Sequence, residues 1–576
     1  MSKAPSVLLV ALLAGCGAPR LAPRASWDGT FPADWRFAAP RPPLEGRYAM
    51  VSSVHPLASA VGRAVLRRGG NAIDAAVAVG FALAVVHPQA GNIGGGGFLV
   101  YRAADGRAFA LDYRETAPAA ATRDMYLDAS GSLTDRSLTG ALAAGVPGSV
   151  AGLAEMHRRF GRLPWAEVVA PAIALARDGF VLDRPRAAAF ADTTSLKRLR
   201  RFPSTVATFF PTGAVPRVGD TLRQPDLART LTLIADSGAA AFYRGSIADK
   251  IVAQMRRSGG IITKADLAGY VAKWRAPVRS TYRGWHLIAM PPPSSGGITL
   301  TEMLNILEGY PTLPPFGTAQ LMHLEIEAMR RAFTDRNRYL GDPDFVTMPI
   351  ARLTSKDYGR QQRRDINMDR ATPASAMPPI VEGEETTHYS IVDPEGNAVA
   401  ITTTLNDNFG SALAVAGAGF LLNDEMDDFA AKPGAPNLFG LVQGEANAIQ
   451  PGKRMLSAMT PTIVLDPAGR LAMVLGSPGG PTIITAVMEV ISNVVDHGMT
   501  LAQAVSAPRI HHQGLPDSVA WEPGGITPDA RRVLEAMRHL FRRKPRIIGD
   551  VNAVRVTRDG LQGYADPRRG GGAAGW

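Results

Sequence analysis

Glu385-Thr386-Thr387-His388-Tyr389-Ser390, with the residues that follow it to Asn406, decides what kind of fold this chain can form. Upstream, Asp369 to Glu385 is rich in Pro, Ala and Glu and has no periodicity, the composition of an exposed loop. Downstream, Thr387 to Val392 and Ala398 to Thr404 are two β-rich runs flanking Asp393-Pro394-Glu395-Gly396-Asn397. Pro, Asp and Gly so placed predict a hairpin with a three-residue loop and Gly396 in the left-handed conformation. Pairing Asp393 with Asn397 and continuing the ladder sets Thr386 opposite Thr404. Two hydroxyls then meet where a loose loop enters a sheet, and the alternate residues feed a core.

That juxtaposition suits a particular chemistry. A threonine hydroxyl is a poor nucleophile unless a base sits beside it, and a free α-amino group on the same residue is such a base. The amine exists only once the chain is cut between Glu385 and Thr386. Thr386 would make itself the nucleophile by attacking its own preceding carbonyl.

Thr386-Thr387-His388-Tyr389-Ser390, Thr402 to Asn406, Leu421-Leu422-Asn423-Asp424-Glu425-Met426-Asp427-Asp428-Phe429 and Gly476-Ser477-Pro478-Gly479-Gly480 occur in that order. Together they resemble the γ-glutamyltransferase (γ-glutamyl transpeptidase) family of N-terminal-nucleophile hydrolases. The resemblance runs from about Tyr48 to about Pro523. It implies an α/β fold, the four-layer αββα sandwich of those hydrolases. It also implies a self-processing enzyme that splits the γ-glutamyl amide of glutathione and related compounds. Residues 46–385 and 386–576 would become large and small subunits of one intertwined domain, a heterodimer made from one chain.

The 576 residues are 46% hydrophobic and 20% charged, so a sizeable core is possible. The net charge of +11 invites a nucleic-acid reading, but the charge is scattered. Its densest runs, Lys197-Arg198-Leu199-Arg200-Arg201 and Arg542-Arg543-Lys544, lack interleaved stacking aromatics, so no nucleic-acid partner is expected. The single cysteine, Cys16, rules out an intrachain disulfide. Lys3, the apolar Val7 to Leu13 and Leu13-Ala14-Gly15-Cys16 resemble a bacterial lipobox, which implies export to the cell envelope or periplasm on a lipidated Cys16. Residues 1–16 are then signal and 17–45, rich in Pro and Arg, a tether. The most apolar later run, Ala75 to Val86, is too short to cross a bilayer.

Along the chain, Ala49 to Ser53 reads as a strand and Leu57 to Arg68 as a helix stopped by Gly69-Gly70. Asn71 with Asp74 caps a buried helix from Ala72 to Val86. The glycine run from Gly91 to Gly97 lacks the following helix that a phosphate cradle needs, which leaves close backbone packing. Phe98 to Arg102 and Ala108 to Arg114 form a hairpin, and Pro147 to Leu340 is mainly helical. Ser294 and Ser295 lie in a turn, with no G-x-S-x-G elbow anywhere, and read as structural. Ala416 to Leu422 reads as a strand, and the tail from about Asp566 as disordered. His511-His512 would face opposite ways on a strand with no ligand set to complete a site, so no metal is expected.

The resemblance assigns roles residue by residue. Arg114 and Ser457 would bind an α-carboxylate; Asn406, Glu425 and Asp428 would hold an α-ammonium, on the opposite side of an amphoteric head group. Thr404 would assist Thr386, and the N–H groups of Gly479 and Gly480, in a βα turn, would hold the oxyanion. The substrates implied are a small-molecule γ-glutamyl donor and an amino-acid or peptide acceptor, with no cofactor. Two positions depart from the family pattern. Phe439 falls in the loop over the site where some members carry Tyr, and Ala458 replaces the second of two serines. A hydrogen bond to a charged group contributes roughly 1.5–3 kcal/mol, so the second loss bears directly on the preferred donor. A related acylase of glutaryl or other acyl amides, and an inactive lipid-anchored binding protein, are the alternatives.

Overall fold

The structure, a computed structural model, describes residues 27–373 and 386–576. Two seven-stranded antiparallel sheets lie face to face. The first runs Gly572–Gly575, Met50–Ser53, Thr387–Val392, Ala398–Thr404, Gly96–Arg102, Ala108–Asp112 and Lys273–Arg275 in spatial order. The second runs Leu44–Gly46, Leu561–Ala565, Asn552–Val556, Leu471–Gly476, Thr462–Leu465, Trp285–Ala289 and Val278–Tyr282. Helices cover both outer faces, which gives the expected αββα order of layers.

The central hairpin shows why these sequences make these layers. Val392 pairs with Ala398 and Thr387 with Thr403, while Gly396 turns the loop at φ +87°. Side chains alternate faces along a strand. Tyr389, Ile391, Val399 and Ile401 join the helices of the first outer layer. Val392, Ala398 and Ala400 point the other way and meet Ile288, Ile463, Val474 and Val554 of the second sheet.

The hairpin loop is also tied to the helix beneath it. Asp393 accepts a hydrogen bond from the N–H of Ala72 at 2.9 Å, one of the orphan donors at the start of Ala72–Val86. Asn71 and Asp74 form the predicted capping box, and all fifteen residues of that helix are buried. The second outer layer is built on Gly296–Glu308, Ala319–Tyr339 and Thr482–Val495.

Three stretches depart from expectation. Residues 416–422 form turns, with Gly417 at φ +69° and Gly419 at +75°, and only Leu421 makes a bridge, to Ala414. Those glycines bend the run back on itself before a ladder can form. The tail is ordered: Gly572–Gly575 pairs along Met50–Ser53, closing the edge of the first sheet. Small residues suit it to that place, since a Cβ on Gly572 would lie 2.9 Å from Pro56 Cβ. Of the stretch read as a tether, residues 27–45 lie against the body, with Trp35 2% exposed and its indole N–H donating to the Ser506 carbonyl at 2.8 Å.

Candidate active site

Thr386 opens the central hairpin, and its Oγ1 lies 3.3 Å from Thr404 Oγ1. Thr404 Oγ1 also accepts the N–H of Asn406 at 2.8 Å, holding Asn406 in the left-handed region at φ +87°. Such a conformation on a residue other than glycine stores strain of about 1–3 kcal/mol and persists only where neighbours enforce it. The carbonyl of Thr404 is fixed from the glycine run: Asn92 Nδ2 donates to it at 2.8 Å, and Asn92 Oδ1 accepts from Gly95 N–H and from Ser149 Oγ. A Cβ on Gly95 would sit 2.1 Å from the Thr404 oxygen. The glycines therefore serve close backbone approach, as their pattern implied.

His388 lies two residues on, on the same face of the strand as Thr386. Its Nδ1 meets Thr402 Oγ1 at 2.8 Å and its Nε2 meets Ser390 Oγ at 3.0 Å. Burial lowers its pKa to about 3, so the ring is neutral and acts as a fixed spacer between the sheets. Gly476 of the second sheet makes room for it: a Cβ there would lie 2.3 Å from His388 Cε1.

The charged residues converge, but not as two separate sides. Arg114, 1% exposed, puts one nitrogen 2.6 Å from Glu425 and 3.7 Å from Glu115, and another against Asp428. Arg114, expected opposite Glu425 and Asp428, lies against both of them. Burial lowers the Arg114 pKa, but Glu425, Asp428 and Glu115 more than reverse the effect. Burial raises all three acids, Glu115 to about 8, and Arg114 only partly opposes it. Three buried carboxyls around one guanidinium leave the cluster short of positive charge.

Arg114, Asp428, Asn406, Ser457, Ala458, Phe439, Gly480, Thr386 and Thr404 line one cavity. Ser457 is held by Ser295 of the 291–297 turn, whose N–H and Oγ both donate to the Ser457 carbonyl at 2.7 Å. Ser294 Oγ donates to Met459 O at 2.6 Å, so both serines support the cavity wall. The Gly476–Gly480 turn links Leu471–Gly476 to Thr482–Val495, with Gly479 at φ +128° and Gly480 at +55°. Neither glycine N–H donates to a described residue. Phe439 covers this turn: a Cβ on Gly480 would lie 2.8 Å from its ring, and Gln513 Nε2 holds its carbonyl at 2.9 Å.

Arg336 is a wall residue that sequence reading missed. It is 2% exposed, hydrogen-bonded to Gln443 Oε1 and Asn337 Oδ1 at 3.0 Å, and makes no ion pair with a described residue. Burial lowers its pKa to about 10, with Asp428 opposing. Its signal was present, since it follows Phe333 by three and Ala332 by four and so shares their buried face. Asn92 was hidden inside the glycine run. His511 meets Thr485 Oγ1 at 3.1 Å and Gln513 Oε1 at 3.0 Å. Among the described residues no group of His, Cys, Asp or Glu is arranged to hold a metal. Glu385 and Cys16 lie outside the described residues.

The family profile described as gamma-glutamyltranspeptidase matches residues 58–576. The chain is 48% identical to the glutathione hydrolase proenzyme of Pseudomonas sp. (strain A14), covering 93% of this chain and 96% of that protein. It is 46% identical to the glutathione hydrolase proenzyme of Escherichia coli (strain K12), covering 91% of each. Among solved structures, the cephalosporin acylase of Bacillus halodurans superposes with a TM-score of 0.83 at 28% identity, covering 95% of this chain and 99% of that one.

Proposed function

The chain belongs to the γ-glutamyltranspeptidase family, and from that premise we propose how its residues divide the work. It is a self-processing enzyme that cleaves the γ-glutamyl amide of glutathione and related compounds and passes the glutamyl group to water or an amine. The observation that carries the residue assignment is the Thr386–Thr404 hydroxyl pair, 3.3 Å apart at the wall of a cavity that also holds Arg114, Asp428 and Gly480.

In the proposed mechanism, cleavage at Glu385-Thr386 frees the Thr386 amine. That amine takes the hydroxyl proton as Thr386 Oγ1 bonds to the γ-carbonyl carbon, with Thr404 orienting the hydroxyl. The N–H groups of Gly479 and Gly480 hold the oxyanion. The carbon–nitrogen bond breaks, the leaving amine carries off the proton, and a γ-glutamyl ester on Thr386 remains. Water or an amino acid then attacks the ester, and Thr386 recovers its proton.

Substrate recognition follows from charge. A γ-glutamyl donor brings an α-ammonium, which supplies the positive charge missing around Glu115, Glu425 and Asp428. Its α-carboxylate meets Arg114, Ser457 and Arg336. A glutaryl donor lacks the amine and leaves the acids uncompensated, so the acylase alternative is disfavoured despite Ala458 and Phe439.

Gel analysis and N-terminal sequencing of purified active protein test the nucleophile. Two fragments are expected, the smaller beginning Thr-Thr-His-Tyr-Ser, with Thr386→Ala leaving one chain; active enzyme in a single piece would overturn the assignment. No described helix is long and apolar enough to cross a membrane. Export and lipidation at Cys16 are proposed from the lipobox. Cys16→Ala should release the protein from the membrane fraction, and unchanged retention would refute the anchor.

A further inference from the structure

Between Ser477 and Thr482 the chain reads Pro478-Gly479-Gly480-Pro481. Proline has no backbone N–H, so this stretch carries only the N–H groups of Gly479 and Gly480. A trans peptide unit is planar, and its C=O and N–H point in opposite directions. The units joining Pro478 to Gly479 and Gly479 to Gly480 are both trans. Fixing the Pro478 carbonyl therefore sets the direction of the Gly479 N–H, and fixing the Gly479 carbonyl sets that of the Gly480 N–H.

Both carbonyls are held by buried hydroxyls. Ser477 Oγ accepts the Asp550 N–H at 2.9 Å and donates to the Pro478 carbonyl at 2.7 Å, so its one proton is committed to that oxygen. Thr482 Oγ1 donates to the Gly479 carbonyl at 2.7 Å, and the Thr482 N–H reaches the same oxygen at 3.1 Å. The 549–550 turn comes close enough to do this only because residue 549 is glycine: it sits at φ +68°, and a Cβ there would lie 2.7 Å from Ser477 Oγ. A threonine bonding back to a carbonyl three residues earlier is common at a helix start. Here the peptide unit so held ends in a Gly480 N–H that donates to no described residue, on a glycine that lines the Thr386 cavity.

On the reading that Gly479 and Gly480 hold the oxyanion, on which this rests, we infer that Ser477 and Thr482 are positioning residues whose hydroxyls aim those two donors. An oxyanion site works because its donors are already oriented when charge develops, with no reorganisation left to make. Freeing either carbonyl lets its peptide unit swing and takes the N–H at the other end out of line. The groups that bind the donor's head, Arg114, Asp428 and Ser457, bond to neither hydroxyl. The loss therefore falls on the chemical step and spares donor binding.

Thr482→Val removes the hydroxyl at nearly constant volume, whereas Thr482→Ser keeps it and loses a methyl. Pre-steady-state release of aniline from a γ-glutamyl anilide, per processed enzyme, compares them. The Val variant should lower the acylation rate constant about tenfold, part of the roughly 10²–10³-fold that losing one oxyanion donor costs, with the half-saturating donor concentration within about twofold of parent. The Ser variant should keep the rate within about threefold. Ser477→Ala should act as Thr482→Val does, and it decides if the Val variant does not fold. Equal losses in the Val and Ser variants, or none in Val and Ala, would overturn the inference. A separate measurement checks the reading beneath it. The boronic acid analogue of glutamate, with boron in place of the γ-carboxyl carbon, takes up Thr386 Oγ1 and becomes a tetrahedral anion. Its addition to the parent enzyme should slow amide hydrogen exchange across residues 478–481, where Gly479 and Gly480 carry the only N–H groups. Unslowed exchange would overturn the glycine assignment and the inference with it; slowed exchange with an unimpaired Val variant would overturn the inference alone.

Discussion

Replacing Asp428 by Asn removes one negative charge from the cluster and almost no volume. The backbone at 428 stays anchored, because Gln443 and Asn447 side chains donate to its carbonyl at 3.0 and 2.6 Å. Arg114 keeps Glu425 at 2.6 Å, so its guanidinium is not left unpaired. What is lost is one charged acceptor for a substrate ammonium. A hydrogen bond to a charged group contributes about 1.5–3 kcal/mol, which at 1.4 kcal/mol per decade is about a 10- to 150-fold loss of kcat/KM on a γ-glutamyl anilide. A glutaryl anilide brings no ammonium, and the substitution removes a buried acid it would otherwise leave uncompensated. Its kcat/KM should hold within about threefold or rise. The assay is release of the chromogenic aniline from the two donors by parent and variant, with fragment processing checked on gels. Parallel losses on both donors, or equal kcat/KM for both in the parent enzyme, would refute the charge-compensation reasoning.

Three further outcomes are expected. Ala458→Ser should lower KM for γ-glutamyl donors about tenfold at little change in kcat, since its hydroxyl adds binding common to ground and transition states; an unchanged KM would place the α-carboxylate elsewhere. Arg336→Leu should raise the same KM at least about tenfold, and Arg336→Lys should recover part of it, because the charge matters more than the shape; equal effects of both would mark a merely structural role. Binding of a γ-glutamyl ligand at neutral pH should release roughly one proton. Burial raises Glu115 to about 8, so it is protonated in the free site and a bound ammonium favours its ionised form. The same raised pKa means that the stability Glu115 contributes below its unfolded pKa is lost as pH rises through about 8. Calorimetry in buffers of different ionisation enthalpy measures the proton count, and no release would count against ammonium recognition.

The sequence by itself determined the central hairpin. Turn chemistry at Asp393–Asn397 and a period of two fix the register locally, and once the register is fixed Thr386 must face Thr404. Helix ends were legible for the same reason, since the cap at Asn71 and Asp74 involves residues three apart. Tertiary structure decided the rest of the site. Arg114, Arg336, Glu425 and Ser457 meet across hundreds of residues, and no local pattern encodes that Arg114 lies against the acids rather than opposite them. The tail read as disordered because glycine-rich composition favours it in isolation, yet Gly572–Gly575 finds in Met50–Ser53 a strand edge whose backbone bonds hold it in order. Local chemistry set the Thr386–Thr404 pair; long-range packing set the charges around it.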